Sequence, residues 1–313
     1  MKKVGTVLLI LILIVVGATV AAGQFTDVFS FKTVGFQDAK SVKGDGIKKV
    51  EVDVSSIDVK VVPTTDEEIN VELAGEVSER YKDDFKLKVK ESGETLKVEI
   101  EEPNFRFGAI MINLQMVIEL PEKEYESIRL YASSGDFDIK GIRAKEMLTE
   151  VSSGDIRAED VTVGSVYELD ASSGDMRLTN VKAEKFTVSA SSGDIRLDGV
   201  EGEISVDTSS GDITVYDAAG DLNLEASSGD ITIDNNEVLG NIHAEATSGD
   251  VKVSFRDTPT SLSLDFRASS GDGTVNLKEM LFEEKAEDEI LGKIGDGKYM
   301  LKVRTTSGDF SLN

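Results

Sequence analysis

The chain has 313 residues, with 34 Lys plus Arg against 59 Asp plus Glu, a formal net charge of -25 and no cysteine. Charge of that sign repels nucleic acid and anionic lipid head groups, and the missing thiols exclude disulfides and thiolate chemistry. An exported chain of this kind must draw its stability from packing and backbone pairing.

Met1-Lys2-Lys3 precedes an uncharged run from Val4 to Gly23. As a helix rising about 1.5 Å per residue, that run reaches roughly 30 Å, enough to cross a bilayer. Residues 1–23 are therefore expected to form an N-terminal membrane anchor or signal segment, a transmembrane helix touching the membrane through residues 4–22. Lys2 and Lys3 stay in the cytoplasm and the rest of the chain is extracytoplasmic. Val20-Ala21-Ala22 offers small residues for cleavage, which leaves secretion as the alternative. Residues 24–45 carry Phe25, Phe29, Phe31 and Phe36 without a clear period and read as a juxtamembrane tether.

From Lys48 the alternation becomes strict: Val50, Val52 and Val54, then Ile57, Val59 and Val61, are apolar at every second position. This is the pattern of half-buried strands. Strand signals continue over residues 69–73, 85–89, 96–100 and 112–120, and Pro121, which cannot donate to a ladder, belongs at a strand end. Residues 46–123 thus form an N-terminal strand region. Residues 76–84 and 278–290 are the only helix candidates after the membrane segment, and both are short and heavily charged.

Residues 124–313 repeat a Ser-Ser-Gly-Asp step whose glycines are Gly135, Gly154, Gly174, Gly193, Gly211, Gly229, Gly249, Gly271 and Gly308. Subtracting successive positions gives 19, 20, 19, 18, 18, 20, 22 and 37, so the last interval holds a degenerate repeat or an insertion. Ser55-Ser56-Ile57-Asp58 is a worn copy of the step, which suggests that the stack begins there. Aligned on the glycines, two tracks before the motif (Leu130 and Ala132 in the first repeat) and two after it (Phe137 and Ile139) are apolar or small. Residues between them, such as Arg157, Arg177 and Arg196, must face water. The second Ser continues the inward parity and is expected to point into a corner. A coil of this length accommodates three short faces, so the fold class is all-β: a single-stranded parallel β-helix, or β-solenoid.

Lys48-Lys49-Val50-Glu51-Val52 leading to Ser55-Ser56, the Leu120-Pro121-Glu122-Lys123 step, the Ser-Ser-Gly-Asp-Ile turns and the closing Thr306-Ser307-Gly308-Asp309 together resemble an adhesin-like family of bacterial and archaeal repeat proteins, also catalogued as a domain of unknown function. The resemblance covers roughly Gly46 to Asn313. It implies a β-solenoid displayed on the cell surface behind a membrane segment, and it supplies no catalytic residues.

The motif aspartates form a column of like charges that invites a hard cation. Asp155, Asp175, Asp194, Asp212, Asp230 and Asp250 are the calcium candidates. The competing role is structural, each carboxylate accepting backbone N–H groups of its own turn with arginines nearby. No other cofactor is indicated. The single histidine, His243, sits on the outward parity and reads as a solvated side chain. Carboxylates that recur in every coil do not mark an active site, because catalysis breaks a repeat at one place. The sequence therefore predicts a non-enzymatic adhesin-like or scaffold module, with an envelope polymer or a membrane protein as partner. Alternatives are an accessory protein of envelope stress sensing, and a carbohydrate-active β-helix enzyme with its cleft beside the long Gly271 to Gly308 interval. A solenoid has two open ends, and the stretch from Phe310 to Asn313 and the region before Ser133 are the candidate caps.

Overall fold

The computed structural model describes residues 32–102 and 112–313. The expected membrane segment lies outside them, and among the described residues no helix is long and apolar enough to cross a membrane.

One coil shows how the pattern folds. In the strand Thr162–Ser173, Val163 points inward, the alternation slips, and then Tyr167, Leu169 and Ala171 point inward again. The slip is a register shift between Val163 and Val166 against the next coil, and a bulge of this kind bends a strand without ending it. After Gly174 the short strand Met176–Thr179 continues with Met176 and Leu178 inward. Each long strand pairs in parallel with those of the coils below and above, and each short strand does the same. The long strands build a 14-stranded broad sheet and the short ones a 13-stranded narrow sheet. The three faces expected per coil are thus two sheets, because a bulged strand spans two of them.

Both pairs of inward tracks are buried through the stack, from Leu130 and Phe137 at 0% exposure to Val303 at 0% and Phe310 at 1%. Ala268 is half-buried. Gly273, which stands where other coils carry an apolar side chain, leaves room that Phe266 fills: a Cβ on Gly273 would meet the Phe266 ring at 2.5 Å. That ring stacks on Phe310 with centroids 4.8 Å apart. Tyr167 is buried, with its hydroxyl 3.4 Å from Thr149 Oγ1. Burial pushes its phenol pKa up, and the bond with Thr149 offsets part of that.

Two corners close the coil. At the first, Gly174 has φ +140° and a Cβ there would overlap the carbonyl oxygen of Gly154 in the coil below; the stack leaves space only for a hydrogen. At the second, Gly141, Asp160, Asn180, Gly199 and Asp217 all have φ between +48° and +65°. Gly, Asn and Asp are the residues that enter this left-handed region most readily. The sequence carried that column at the repeat period, but its mixed composition hid it.

At both ends the coils leave sequence order. The first coil, Lys49–Val54 with Asp58–Thr64, lies inside a later one, Thr95–Glu101 with Ile112–Pro121. The strand Glu124–Ser134 then pairs with the other side of Lys49–Val54. At the far end Tyr299–Ser307 inserts between Ile242–Ser248 and Leu262–Ser270, and Phe310–Leu312 between Val251–Phe255 and Gly273–Val275. The residues around Phe310 are therefore an inner coil and not a cap, because neighbours occupy both sides. The caps are antiparallel. Thr33–Lys43, within the expected tether, pairs with Glu68–Ser78, and Lys86–Ser92 pairs with Thr95–Glu101. The long interval is an insertion, the hairpin Leu281–Lys285 and Glu289–Ile294. Of the two helix candidates, one contains a 3-10 turn, Glu79–Asp84, and the other is largely this hairpin.

Candidate functional site: the aspartate ladder and the outward columns

The motif aspartates do form a column, and its bonds run between coils. Asp155 N–H donates to Asp136 Oδ1, Asp175 N–H to Asp155 Oδ1, and Asp194 N–H to Asp175 Oδ1, each at 2.9 Å. Asp212, Asp230 and Asp250 continue the series. The worn copy belongs to it as well, since Asp136 N–H donates to Asp58 Oδ1 at 3.0 Å. The structural role expected for these carboxylates is present, but the donor comes from the neighbouring turn rather than from the same one. Stacking in register places the next coil's N–H against each carboxylate, and this offsets the repulsion along the column.

The second oxygen of some aspartates meets a cation. Arg157 bridges Asp136 and Asp155, at 3.1 and 2.5 Å, and its own pKa is raised, chiefly by the bond to Asp136. Lys252 lies 3.4 Å from Asp230 and 3.5 Å from Asp250. Arg196 turns instead to Asp198 at 3.4 Å and covers the Tyr216 ring. Among the described residues, no group of three or more His, Asp or Glu is placed to hold a metal ion. A calcium ion at this column would have to use the oxygens that the ladder leaves over.

The ladder does not break where an enzymatic cleft was the alternative. Asp309 N–H donates to Asp250 Oδ1 and Asp272 N–H to Asp309 Oδ1, both at 2.9 Å. The long interval in sequence is a single step in space.

Both residues before the glycine are exposed in every coil, for example Ser152 with Ser153 and Ser191 with Ser192, with Thr247 and Thr306 in the first position of two coils. The second Ser does not point inward, because the chain turns at the following glycine and a side chain on the convex side of a bend faces water. The broad sheet carries a further exposed column that strand alternation placed but did not single out. Registers align Glu150 with Asp170, Asp170 with Ser189, Ser189 with Asp207, Asp207 with Glu225 and Glu225 with Glu245. The sign then reverses at Arg304 and Arg267. His243 stands one column away and is only 27% exposed, with Nε2 3.7 Å from Glu245 and a buried Nδ1 that lacks a hydrogen-bond partner. A surface hollow of ≈ 440 Å³ near Lys49, Arg129 and Lys145 also contains Glu51, Glu126 and Glu146. Two of its carboxylates are paired, Glu51 with the neighbouring Lys97 at 2.8 Å and Glu126 with Lys49 at 4.0 Å.

A two-sheet parallel solenoid with a backbone-bonded aspartate ladder and exposed columns in register defines a class of β-repeat protein. The chain belongs to the Toastrack DUF4097 family, whose model matches residues 47–313. It is similar to the crystal structure of a "putative adhesin" from Bacteroides fragilis, at 13% identity over 88% of this chain and 97% of that one, with a TM-score of 0.46. A "putative adhesin" from Parabacteroides distasonis is similar at 12% identity, over 88% and 96% of the two chains, with a TM-score of 0.40. A "putative lipid binding protein" from the same organism is similar at 14% identity, over 89% and 97%, with a TM-score of 0.36. Likeness at these scores carries no argument about function. No curated protein matches the chain.

Proposed function

We propose that this protein is a non-enzymatic display module, anchored at the outer face of the cytoplasmic membrane, that adheres to an envelope polymer through the broad sheet. The exposed column Glu150, Asp170, Asp207, Glu225 and Glu245, flanked by the first-serine column Ser152, Ser172, Ser191, Ser209 and Ser227, carries the reading. One coil step is about 4.8 Å, so the face presents a hydroxyl and carboxylate pair in five of the six coils from Glu150 to Glu245, with Ser189 standing in for the carboxylate in the sixth, to an extended ligand. Each contact is weak, and many held on one rigid face add through effective concentration. The apolar run Val4 to Gly23 supports the membrane anchor in this reading.

The test is retention of the full-length chain, kept soluble with detergent, on purified envelope and on whole cells. Replacing the five carboxylates by their amides is expected to lower retention at least tenfold while leaving the melting temperature within a few degrees. Absence of retention on every envelope fraction overturns the reading. Proximity labelling that marks only membrane signalling proteins would replace it with an accessory role in stress sensing.

A further inference from the structure

The two ends of the broad sheet are finished differently. At the N-terminal end the last strand, Lys86–Ser92, is plugged. Leu87 N–H donates to Asp38 Oδ2 at 3.0 Å, and the Leu87 carbonyl accepts from Lys40 Nζ. Phe36 seals the same corner, edge-on against Phe85 with centroids 6.3 Å apart. Side chains thus hold both backbone groups of Leu87, which obstructs a further strand at that point of the edge.

At the C-terminal end the last strand is Leu281–Lys285, and all five of its residues are exposed. Leu281 is 75% exposed and Phe282 36%, and these neighbours are the only adjacent pair among the exposed large hydrophobic residues described. The narrow sheet is not open at this end, since Gly273 N–H donates to the Glu287 carbonyl of the hairpin loop. The insertion thus covers one sheet and extends the other by an edge that nothing described covers.

The charge around that edge selects its occupant. Glu279, Glu283, Glu284, Glu287 and Asp288 lie in or beside this strand in sequence, against Lys278 and Lys285, with Lys293 paired opposite Leu281; Lys285 folds back with Nζ 4.3 Å from the centroid of the Phe282 ring. A second copy of this edge would bring like charges together, and head-to-tail pairing on the N-terminal edge meets the Asp38 and Lys40 side chains at Leu87. The geometry points to β-strand addition at Leu281–Lys285 by an extended basic segment of a partner protein, with main-chain bonds supplying affinity and Leu281 and Phe282 supplying an apolar seat. This interaction is independent of the adhesive column on the broad face.

Binding is measured on the full-length chain in detergent with a seven-residue peptide alternating lysine and valine. Two controls accompany it: a glutamate and valine peptide, and a peptide of the same positive charge interrupted by proline, which cannot join a ladder. The inference expects the uninterrupted lysine peptide to bind at least tenfold more tightly than either control, and to slow amide exchange at Leu281–Lys285. Leu281→Lys should cost tenfold or more with no change in melting temperature, and the double change Glu283→Lys, Glu284→Lys should reverse the preference toward the glutamate peptide. Equal binding of the proline control, exchange protection mapped elsewhere, or an unaffected Leu281→Lys variant overturns it. So does concentration-dependent dimerisation through this edge in place of peptide binding.

Discussion

Between Asp136 and Asp250 the coils stack in sequence order, whereas at each end one coil is laid out of order and closed by antiparallel strands. The middle is held by contacts between adjacent repeats, so any coil fits on any other. The ends depend on contacts across long stretches of chain, such as Asp309 N–H to Asp250 Oδ1 over 59 residues. A regular repeat tells each coil what its neighbour looks like but not when to stop. The irregular ends supply the stop, and they also make the stack depend on its last residues.

Two deletions break this comparison most sharply. Removing residues 299–313 takes out Leu301, Val303, Phe310 and Leu312, all at most 1% exposed, from between two other coils. At roughly 1.5–3 kcal/mol for each large buried side chain, the loss is about 6–12 kcal/mol. The expected outcome is loss of cooperative unfolding and aggregation, read by calorimetry and light scattering. Removing residues 176–194 joins Asp175 to Ile195 and restores an intact Ser-Ser-Gly-Asp-Ile step. That chain is expected to fold as a shorter rod with a melting temperature only a few degrees lower.

A substitution at the Gly corner tests the middle. Gly174→Ala forces a Cβ into the Gly154 carbonyl and is expected to cost roughly 3–4 kcal/mol in urea unfolding. Asp175→Ala removes the acceptor of the exposed Asp194 N–H, at about 0.5–1.5 kcal/mol, and Asp175→Asn, which keeps a side-chain oxygen, should recover most of it. Equal losses for Ala and Asn would show that charge, and not the ladder bond, is what the column needs.

The smallest effect concerns the C-terminal end. Burial pushes the Asp265 carboxyl up, but Arg304 at 2.8 Å and Arg267 at 3.3 Å outweigh it and hold its pKa below the usual value. A lowered folded value stabilises the fold above the ordinary carboxylate range of about 3.9, and the contribution fades as pH falls through the lowered folded value. Melting temperature measured down to pH 2 should therefore fall less steeply for Asp265→Asn than for the unchanged protein. Parallel curves would mean that the pair contributes nothing.

Much of the middle was legible because alternation and the glycine corner are local. The apolar tracks, the kinship of Ser55-Ser56-Ile57-Asp58 with the later steps and the aspartate column all follow from the repeated residues of single coils, although the coil at Ser55 lies inside a later one. The second Ser faces water rather than inward because alternation ends where the backbone turns. The left-handed column from Gly141 to Asp217 carried a signal, Gly, Asn or Asp at the repeat period, that composition obscured. The carboxylate column on the broad sheet could be placed outward by parity, while its neighbours across coils required the register.

The sequence by itself determined the coil, its period and which strand side chains face inward, the corner serines excepted, because steric and hydrophobic preferences act over a few residues. Tertiary structure decided the order of the coils at each end, the inter-coil partner of every aspartate and the contrast between a plugged edge and an open one. Those outcomes depend on which strand edges remain unpaired when distant parts of the chain meet, and no short stretch of sequence carries that information.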